Sequence, residues 1–404
     1  MILRDTLQAV LREPPPPGPR PEVERTLGRR IPRSTAQAVV LTGVRRCGKS
    51  TLLAQLLRRA GRGALVNFED TRLFGLGPGD FPSLVDLLAA GPPGGPVALD
   101  EVQEVPEWQR LVRALLDRGR PVYLTRSNAS LLGRELGAKL TGRHLSFEVR
   151  PFDYAEYVSW AGAAAGDASF RAWLDRGGFP GYLREGNDAL LRELLRDIIQ
   201  RDVAMRHGVR EVRHLLNLVL FLFANTGQPF SFQRLTKSLG IPTVGQTSRY
   251  IEFLEDAYLL LRLPKHNPSF RARVVAPAKY YAVDNGLRRA NSPQATSDLG
   301  HRFENAVFLE LHARGTAPAW AGERDLWECD FVTADTAIQV CAELTPSNSA
   351  REIAGLARAV GLPGARSRRA LILTLDQTDR LRSGRLPIEV MPAWRWLTKW
   401  PAGR

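Results

Sequence analysis

The sequence has few of the residues from which disulfides and structural metal sites are built. Its three cysteines, Cys47, Cys329 and Cys341, are an odd number and lie far apart, and its six histidines show no metal-ligand spacing. This pattern excludes a disulfide framework and a zinc-binding module, and it favours a reducing cytoplasm. No uninterrupted apolar run reaches the roughly 20 residues that span a bilayer, and residues 1–13 lack the core of a signal peptide. We therefore expect a soluble cytoplasmic protein with no membrane partner.

Negative charge is also scarce relative to positive charge. The 404 residues include 56 Lys and Arg against 42 Asp and Glu, which gives a net charge of +14. An excess of this size favours a polyanionic partner, and nucleic acid ranks ahead of a membrane surface. The alternative is a composition that is rich in arginine for reasons unrelated to binding, so charge by itself leaves the partner open.

The order of apolar segments predicts an α/β fold. Strand-like runs such as AVVLTG (38–43) and PVALDE (96–101) alternate with helix-like runs such as KSTLLAQLLRRAG (49–61), which is typical of a parallel, doubly wound sheet. The proline-rich segment 12–21 is typical of a linker. We predict four regions: an N-terminal helix and linker at 1–21, a parallel-sheet domain at 22–160, a helical region at 161–265 and a further α/β domain at 266–404.

Residues 43–50, with the sequence GVRRCGKS, match the phosphate-binding pattern G-x-x-x-x-G-K-[ST] at every position. A predicted strand precedes them and a predicted helix follows, as this loop requires. Glycines let main-chain N–H groups approach phosphates, and the helix adds its positive N-terminal end. We predict that Lys49 contacts the β- and γ-phosphates of ATP and that Ser50 holds Mg²⁺. The predicted nucleotide-binding residues are Gly43, Val44, Arg45, Arg46, Cys47, Gly48, Lys49, Ser50 and Thr51.

Acidic and polar residues follow two later strands of the same predicted sheet. Asp100 and Glu101 end the apolar run VALDE, and Asn128 ends the run VYLTRSN. Because the carboxyl ends of parallel strands converge on one edge of the sheet, we expect these side chains near the phosphates. Asp100 would hold Mg²⁺, and Glu101 would orient and deprotonate the attacking water, with Ser127 or Asn128 beside it. Arg143 is predicted either as an arginine finger acting on a neighbouring subunit or as a surface arginine.

Several motifs together resemble a widespread prokaryotic AAA-type P-loop ATPase family whose members carry an uncharacterised C-terminal domain. The resemblance covers nearly the whole chain and rests on LTGVRRCGKSTLL, VALDEVQEVPEWQRL, RGGFPGYL, PAKYYAVDNGLRRA, GHRFENAVFLEL, ECDFV and PIEVMPAWRWL. It implies a P-loop fold, use of ATP with Mg²⁺ and assembly into homo-oligomers. One position departs from the family, because Arg126 stands where such proteins usually have glycine, and this favours altered nucleotide sensing.

Residues 230–263 are predicted to form a winged helix-turn-helix. Thr243 would cap its second helix. The exposed face of that helix would present Gln246, Thr247 and Arg249, an arrangement that can enter a DNA major groove. The alternative is a winged-helix module that contacts proteins or acts as an ATPase lid.

Three acidic residues in the last region resemble the core of a restriction endonuclease. Glu304 lies on a predicted helix, and Asp330 and Glu343 belong to predicted strands. In such a core carboxylates bind Mg²⁺, and a lysine two residues after the last acid activates water. That position is Thr345 here, with no nearby lysine as an obvious substitute. We therefore predict a degenerate, nuclease-shaped domain that does not cleave but can bind nucleic acid or a partner protein.

The sequence supports three functional hypotheses. In the first, which we favour, ATP hydrolysis changes how the C-terminal regions engage DNA. In the second, the protein is a nucleotide-gated switch that binds DNA or protein with little turnover, which Arg126 favours. In the third, which Thr345 argues against, it is an Mg²⁺-dependent nuclease licensed by ATP.

Overall fold

The computed structural model describes residues 2–13, 22–33, 35–61, 63–92, 94–127, 142–292, 299–323, 325–364 and 367–398. Contacts divide the chain into two compact units, an N-terminal unit that ends at Arg150 and a C-terminal unit that begins at Pro151. Both combine helices with sheets, so the predicted α/β fold class is confirmed. The region boundaries predicted at 21, 160 and 265 stay predictions.

The N-terminal unit is built on a five-stranded parallel sheet. Its strands are β1 (Ala38–Thr42), β2 (Ala64–Asn67), β3 (Val97–Asp100), β4 (Val122–Thr125) and β5 (His144–Glu148). They lie in the order β2-β3-β4-β1-β5, and every neighbouring pair is parallel. Its described α-helices are α1 (Arg4–Arg12), α2 (Lys49–Ala60), α3 (Phe81–Ala89) and α4 (Trp108–Asp117). The predicted parallel sheet is confirmed, and β1 and α2 flank residues 43–48.

The inner strands of this sheet are covered on both faces. All residues of β1, β3 and β4 are buried, whereas the edge strands β2 and β5 are partly exposed. Helices cover a parallel sheet on both sides, which explains the unbroken apolar runs of its inner strands. Leu7 and Val10 of α1 join the core formed with α3 and α4.

The C-terminal unit begins with helices and a small sheet. Its first helical segments are α5 (Tyr154–Ala161), α6 (Asp167–Arg176), α7 (Pro180–Glu185), α8 (Asp188–Asp197), a π-helical segment (Ile198–Met205), α9 (Val212–Ala224), α10 (Phe232–Leu239) and α11 (Val244–Asp256). An antiparallel sheet of β6 (Pro229–Phe230), β7 (Leu260–Leu263) and β8 (Ala278–Ala282) has the order β6-β8-β7. The predicted helical region is therefore confirmed.

Helices α10 and α11 contact each other, and one residue predicted at their surface is buried. Thr243 caps α11 as predicted, because its side chain accepts the backbone N–H of Gln246 at 3.1 Å. Arg249 is exposed, but Thr247 is fully buried, and its hydroxyl lies 2.7 Å from that of Thr236 on α10. The prediction that Thr247 faces solvent is therefore wrong. A short hydroxyl side chain can be buried between helices when it finds a hydrogen-bond partner there.

A six-stranded mixed sheet completes the C-terminal unit. Its strands are β9 (Ala319–Glu323), β10 (Trp327–Val332), β11 (Thr336–Val340), β12 (Arg369–Thr374), β13 (Asp379–Ser383) and β14 (Leu386–Pro392). Their order is β13-β14-β12-β11-β10-β9, with β11–β12 and β12–β14 parallel and the other pairs antiparallel. The other described helices are α12 (Phe270–Val275), α13 (Asn285–Asn291), α14 (Leu299–Ala313), α15 (Ser349–Val360) and α16 (Ala393–Thr398). None of the helices in the described ranges is both long enough and apolar enough to cross a membrane.

A buried carboxylate joins two loops of the C-terminal unit. Asp284 is the N-cap of α13, and its side chain accepts the backbone N–H groups of Leu287 at 2.8 Å and of Gly178 at 2.6 Å. The N–H of Phe152 in turn donates to the carbonyl of Gly178 at 2.8 Å. Burial raises the pKa of Asp284 to about 6, although the backbone hydrogen bonds oppose this rise. One side chain thus ties the motif RGGFPGYL to the motif AVDNGLRRA.

Alanine at Gly178 is expected to destabilise the C-terminal unit strongly. A Cβ atom there would lie 2.2 Å from the carbonyl oxygen and 2.6 Å from the nitrogen of Phe152. These backbone atoms cannot move aside without disturbing the Asp284 contacts, so we expect denaturant unfolding to show a loss of about 3 kcal/mol or more. Gly181→Ala is the matched control, because nothing lies within 4 Å of its Cβ position. Equal losses in the two variants would contradict the steric argument.

Candidate nucleotide-binding site

Residues 43–48 turn from β1 into α2, and both glycines of the turn are required. Gly43 has a φ of +141° and Gly48 a φ of +100°, values that residues with side chains rarely adopt. A Cβ atom on Gly43 would lie 2.0 Å from the carbonyl oxygen of Val149, and one on Gly48 would lie 2.8 Å from the guanidinium of Arg25. Val149 and Arg25 therefore approach the loop closely at these two positions and restrict its backbone.

The side chains of the loop divide into buried and accessible groups. Val44 and Cys47 are fully buried, and the Cys47 thiol donates to a backbone carbonyl at 3.1 Å. Burial raises the pKa of Cys47, so the thiol stays protonated at neutral pH. Arg45 and Thr51 are partly exposed and Arg46 is exposed. Cys47 therefore serves as a small packing residue, and the accessible surface of the loop is basic.

Lys49 begins helix α2 and is held against the loop. It is 4% exposed, and its ammonium donates to the carbonyl oxygens of Gly43 and Val44, each at 3.0 Å. The positive N-terminal end of α2 lies at the same place, because the helix starts at Lys49. An ammonium and a helix N terminus beside a glycine-containing loop form a site that suits anionic oxygens.

Arg25 is a buried cation next to the loop that the sequence patterns did not identify. Its guanidinium donates to the carbonyl of Cys47 at 2.9 Å and to the carbonyl of Arg150 at 2.5 Å. Its side chain is buried, and its backbone N–H donates to Gln55 on α2 at 3.2 Å. Arg25 thus connects the loop, α2 and the segment after β5. No sequence motif indicates this role, because it depends on contacts between distant segments.

Asp100 ends β3 beside the start of α2. Its carboxylate accepts a hydrogen bond from the hydroxyl of Thr125, and the Ser50 hydroxyl lies close by. Burial raises the pKa of Asp100, and the nearby hydroxyls of Thr125 and Ser50 oppose the rise. The Thr125 hydroxyl also accepts the backbone N–H of Glu101 at 2.9 Å. The structure brings Asp100 and Ser50 into contact. It also places Thr125 in the site, a residue that the sequence patterns did not identify, although its position at the carboxyl end of β4 could have indicated it.

Glu101 follows Asp100 in a strained backbone conformation. Its φ of 54° and ψ of 49° lie in the left-handed region, which is uncommon for a residue with a side chain. Its carboxylate accepts a hydrogen bond from the side chain of Gln103. Burial, and then the charge of Glu101, raise the pKa of Glu69, which follows β2 at the same edge of the sheet. Strain of this kind is often found at functional sites, and here it lies within a group of carboxylates near the loop.

Arg143 lies at the opposite end of the sheet from the loop. Its carbonyl accepts the N–H of Ala38, the first residue of β1, at 2.9 Å. Its guanidinium pairs with Asp117 at 2.7 Å, and both side chains are more than half exposed. Because the phosphate loop follows the other end of β1, Arg143 is not placed to act on a nucleotide in its own chain. Action on a neighbouring subunit, and homo-oligomer formation with it, stay predictions.

Arg126 and Asn128 follow β4 in the sequence. Asn128 lies outside the described residues. Arg126 is 1% exposed, and its guanidinium carbon lies 5.5 Å from the ring centroid of Trp108. The backbone N–H of Arg126 donates to the carbonyl of Leu41 at 2.9 Å and so extends the pairing of β4 with β1. The side chain of Arg126 therefore packs inside the N-terminal unit.

The predicted C-terminal carboxylates are only partly brought together. Glu304 on α14 and Asp330 on β10 lie 3.0 Å and 3.9 Å from the ammonium of Lys279 on β8. Glu343 lies beyond the end of β11, where its carbonyl accepts the side chain of Asn348 at 2.8 Å. The sequence around Thr345 offers no obvious substitute lysine, but the fold brings Lys279 from an earlier strand to Glu304 and Asp330. A lysine inside the otherwise apolar run AKYYAV was the available signal.

The fold and the phosphate loop define the N-terminal unit as a P-loop domain of the AAA type. Residues 35–158 match the AAA domain family AAA_14, and residues 167–298 match a domain of unknown function, DUF8612. The Walker-type ATPase of Pyrococcus abyssi is a solved structure similar to 63% of this chain and 90% of its own, with 17% identity and a TM-score of 0.42.

Two relatives extend the similarity over most of the chain. An uncharacterised protein of Methanocaldococcus jannaschii is 28% identical over 394 residues, which span 88% of this chain and 87% of the relative. An uncharacterised protein of Haemophilus influenzae is 30% identical over 314 residues, which span 72% of this chain and 78% of the relative. The chain belongs to the same protein family as this Haemophilus influenzae protein.

Proposed function

We propose that this protein binds ATP with Mg²⁺ and hydrolyses it. The contact between Ser50 of the phosphate loop and Asp100 at the end of β3 carries the proposal, because it joins a phosphate-binding element to a carboxylate suited to a metal. Lys49 and the backbone N–H groups of the loop would hold the phosphates, and Ser50 and Asp100 would hold Mg²⁺. When bound, Mg²⁺ supplies charge neutralisation at the phosphate oxygens.

The contacts around these residues support their roles. The ammonium of Lys49 already bonds to two carbonyl oxygens of the loop, and it would exchange these acceptors for phosphate oxygens. Thr125 holds the Asp100 carboxylate and the Glu101 backbone together. Glu101 would take a proton from the attacking water, with Gln103 bonded to its carboxylate.

ATP binding and hydrolysis test this proposal. We expect calorimetry to detect MgATP binding and a phosphate-release assay to detect turnover, with both lost in Lys49→Ala. Arg58→Ala removes an exposed cation of the same helix and should keep both activities. Tight binding with negligible phosphate release would favour the nucleotide-gated switch. A folded chain that binds neither ATP nor ADP would refute the proposal.

Arg25→Gln is expected to weaken ADP binding by about tenfold or more, because a charged hydrogen bond to the loop carbonyl of Cys47 is lost. The backbone N–H groups of the loop would then be less well fixed for phosphate binding. Titration calorimetry with ADP measures the effect. Arg29→Gln changes an exposed arginine of the same segment and serves as the control. Equal affinities in wild type and Arg25→Gln would contradict the role assigned to Arg25.

We also propose that ATP turnover changes how the C-terminal unit engages DNA through a winged-helix module made of α10, α11 and the sheet β6-β8-β7. The charge of this region supports DNA as the partner. Between residues 212 and 283 the acidic residues are Glu252, Glu255 and Asp256 alone. The exposed cations of this region include Arg213, Arg234, Lys237, Arg249, Arg271 and Arg273. A surface with this excess of positive charge attracts a phosphate backbone.

Fluorescence anisotropy with double-stranded DNA tests the partner. We expect an affinity that falls steeply with salt, because neutralised phosphates release counterions. Arg249→Gln combined with Arg271→Gln should weaken binding, whereas Arg110→Gln combined with Arg118→Gln, exposed arginines of the N-terminal unit, should not. DNA should also stimulate ATP hydrolysis. A flat salt response together with unchanged hydrolysis would favour a protein partner instead.

A further inference from the structure

Lys279 is a buried cation where the small sheet of the C-terminal unit meets the six-stranded sheet. It is 1% exposed, and its ammonium lies 3.0 Å from Glu304 Oε1 on α14 and 2.6 Å from Glu328 Oε1 on β10. Asp330 Oδ1, two residues further along β10, is 3.9 Å away. These four residues form the Lys279 cluster, in which one ammonium faces three carboxylates.

Further donors of the protein contact two of the three carboxylates of the Lys279 cluster. The hydroxyl of Tyr281, two positions along β8, donates to Glu304 Oε1 at 2.6 Å. The backbone N–H of Val340 donates to Asp330 Oδ2 at 2.8 Å. Burial lowers the pKa of Lys279, but the charges of the three carboxylates raise it by more, so that the pKa lies above its ordinary value. The lysine is therefore a permanent cation in the folded chain.

The Lys279 cluster lacks the ligand set that a restriction-endonuclease core requires. Phe331 of β10 pairs with Ile338 of β11 in antiparallel register, which places Gln339 opposite Asp330. The amide oxygen of Gln339 accepts the backbone N–H of Asp330 at 3.3 Å, so a neutral amide stands next to the acid. Glu343 lies beyond the strand. In the described part of the chain, no group of three or more His, Cys, Asp or Glu is placed to hold a metal ion.

We infer that the ammonium of Lys279 takes the place of a metal ion in the Lys279 cluster, so that the C-terminal unit carries its own built-in cation instead of an Mg²⁺-dependent nuclease centre. Mg²⁺ requires near-octahedral coordination by oxygen, and the ammonium, Tyr281 and Val340 already occupy one oxygen of each of the three carboxylates. A lysine attached to β8 is also always present, whereas a free ion must be drawn from solution. This inference does not depend on the proposed use of ATP.

Removal of the lysine should expose the latent metal site. With Lys279 in place the three acids are not placed to hold a metal ion. Without the ammonium between them they can move together into a set of hard oxygen ligands, which suits Mn²⁺ as a probe. Calorimetry and electron paramagnetic resonance on the nucleotide-free full chain should detect no Mn²⁺ at this cluster in the wild type. Lys279→Met should bind about one Mn²⁺ per chain, and Lys279→Met combined with Asp330→Asn should lose it. Lys265→Met is the matched control. Like Lys279, Lys265 packs on Trp320, but within the described residues it forms no ion pair with an acid of the Lys279 cluster.

If Lys279→Met folds poorly, thermal unfolding can still test whether it binds Mn²⁺. Mn²⁺ should leave the melting temperature of the wild type unchanged and should raise that of Lys279→Met by several degrees, because a ligand stabilises the state that binds it. A Mn²⁺-dependent rise in the wild type that disappears in Asp330→Asn would overturn the inference. So would a folded Lys279→Met that binds no Mn²⁺. These variants should bind ATP as the wild type does, so a failure of the proposed ATPase function would be seen only in the phosphate-loop variants.

Discussion

Glu101→Gln is expected to keep MgATP bound while slowing its hydrolysis by about 10²- to 10⁴-fold. The amide has the size of the carboxylate and can still accept the hydrogen bond from Gln103, but it cannot take a proton from water. Binding depends on the loop and Lys49, which this change leaves in place. Calorimetry with a non-hydrolysable ATP analogue and single-turnover phosphate release measure the two effects separately.

A neighbouring acid provides the control for this result. Glu104→Gln removes an exposed carboxylate three residues further on and should leave hydrolysis close to the wild-type rate. An equal fall in both variants would mean that the total negative charge at this edge of the sheet matters, and not Glu101 itself. Unchanged hydrolysis in Glu101→Gln would mean that Glu101 is not the base that deprotonates the water. Glu69, whose pKa is raised by burial and by the charge of Glu101, would then be the next candidate.

At low pH, where the acid is protonated, Asp284→Ala is expected to lower the free energy of unfolding by about 3 kcal/mol, as the sum of a lost helix cap and an unsatisfied buried N–H group. Asp284 caps α13 through Leu287 and also accepts the N–H of Gly178. Alanine satisfies neither donor. Denaturant unfolding followed by tryptophan fluorescence measures the loss. Asp188→Ala, which removes a partly exposed partner of Arg289, is the comparison and should cost less.

The carboxyl of Asp284 should also make stability depend on pH. Its pKa is raised by burial from 3.8 to about 6 in the folded chain, so folding favours the protonated acid. Its contribution is fully present below the unfolded pKa and is lost as the pH rises through about 6, an effect of about 3 kcal/mol. Asp284→Asn does not titrate. The stability difference between wild type and Asp284→Asn should therefore shrink from pH 4 to pH 7, and a difference independent of pH would contradict this account.

The phosphate loop could be predicted from the sequence because its signals are local. The spacing of Gly43, Gly48 and Lys49 lies within eight residues, 43–50, and the apolar runs on either side identify β1 and α2. Arg25 and Thr125 could not be assigned in the same way. Their roles depend on contacts with Cys47 and Asp100, which the order of strands in the sheet creates.

The arrangement of the C-terminal acids was harder to predict for the same reason. The sequence suggested Glu304, Asp330 and Glu343 from their order and spacing, but β11 ends at Val340, before Glu343. Register then places the neutral side chain of Gln339 beside Asp330. A shift of a few residues at the end of a strand changes which side chain faces a site, and spacing alone cannot detect it.

The sequence by itself determined the class of fold, the phosphate loop and the excess of positive charge, because each depends on residue type and on near neighbours along the chain. Only the tertiary structure decided that Arg25 supports the loop and that Lys279 stands among three acids. Both contacts join residues that are distant in sequence, and their formation depends on which strands lie side by side and in which register.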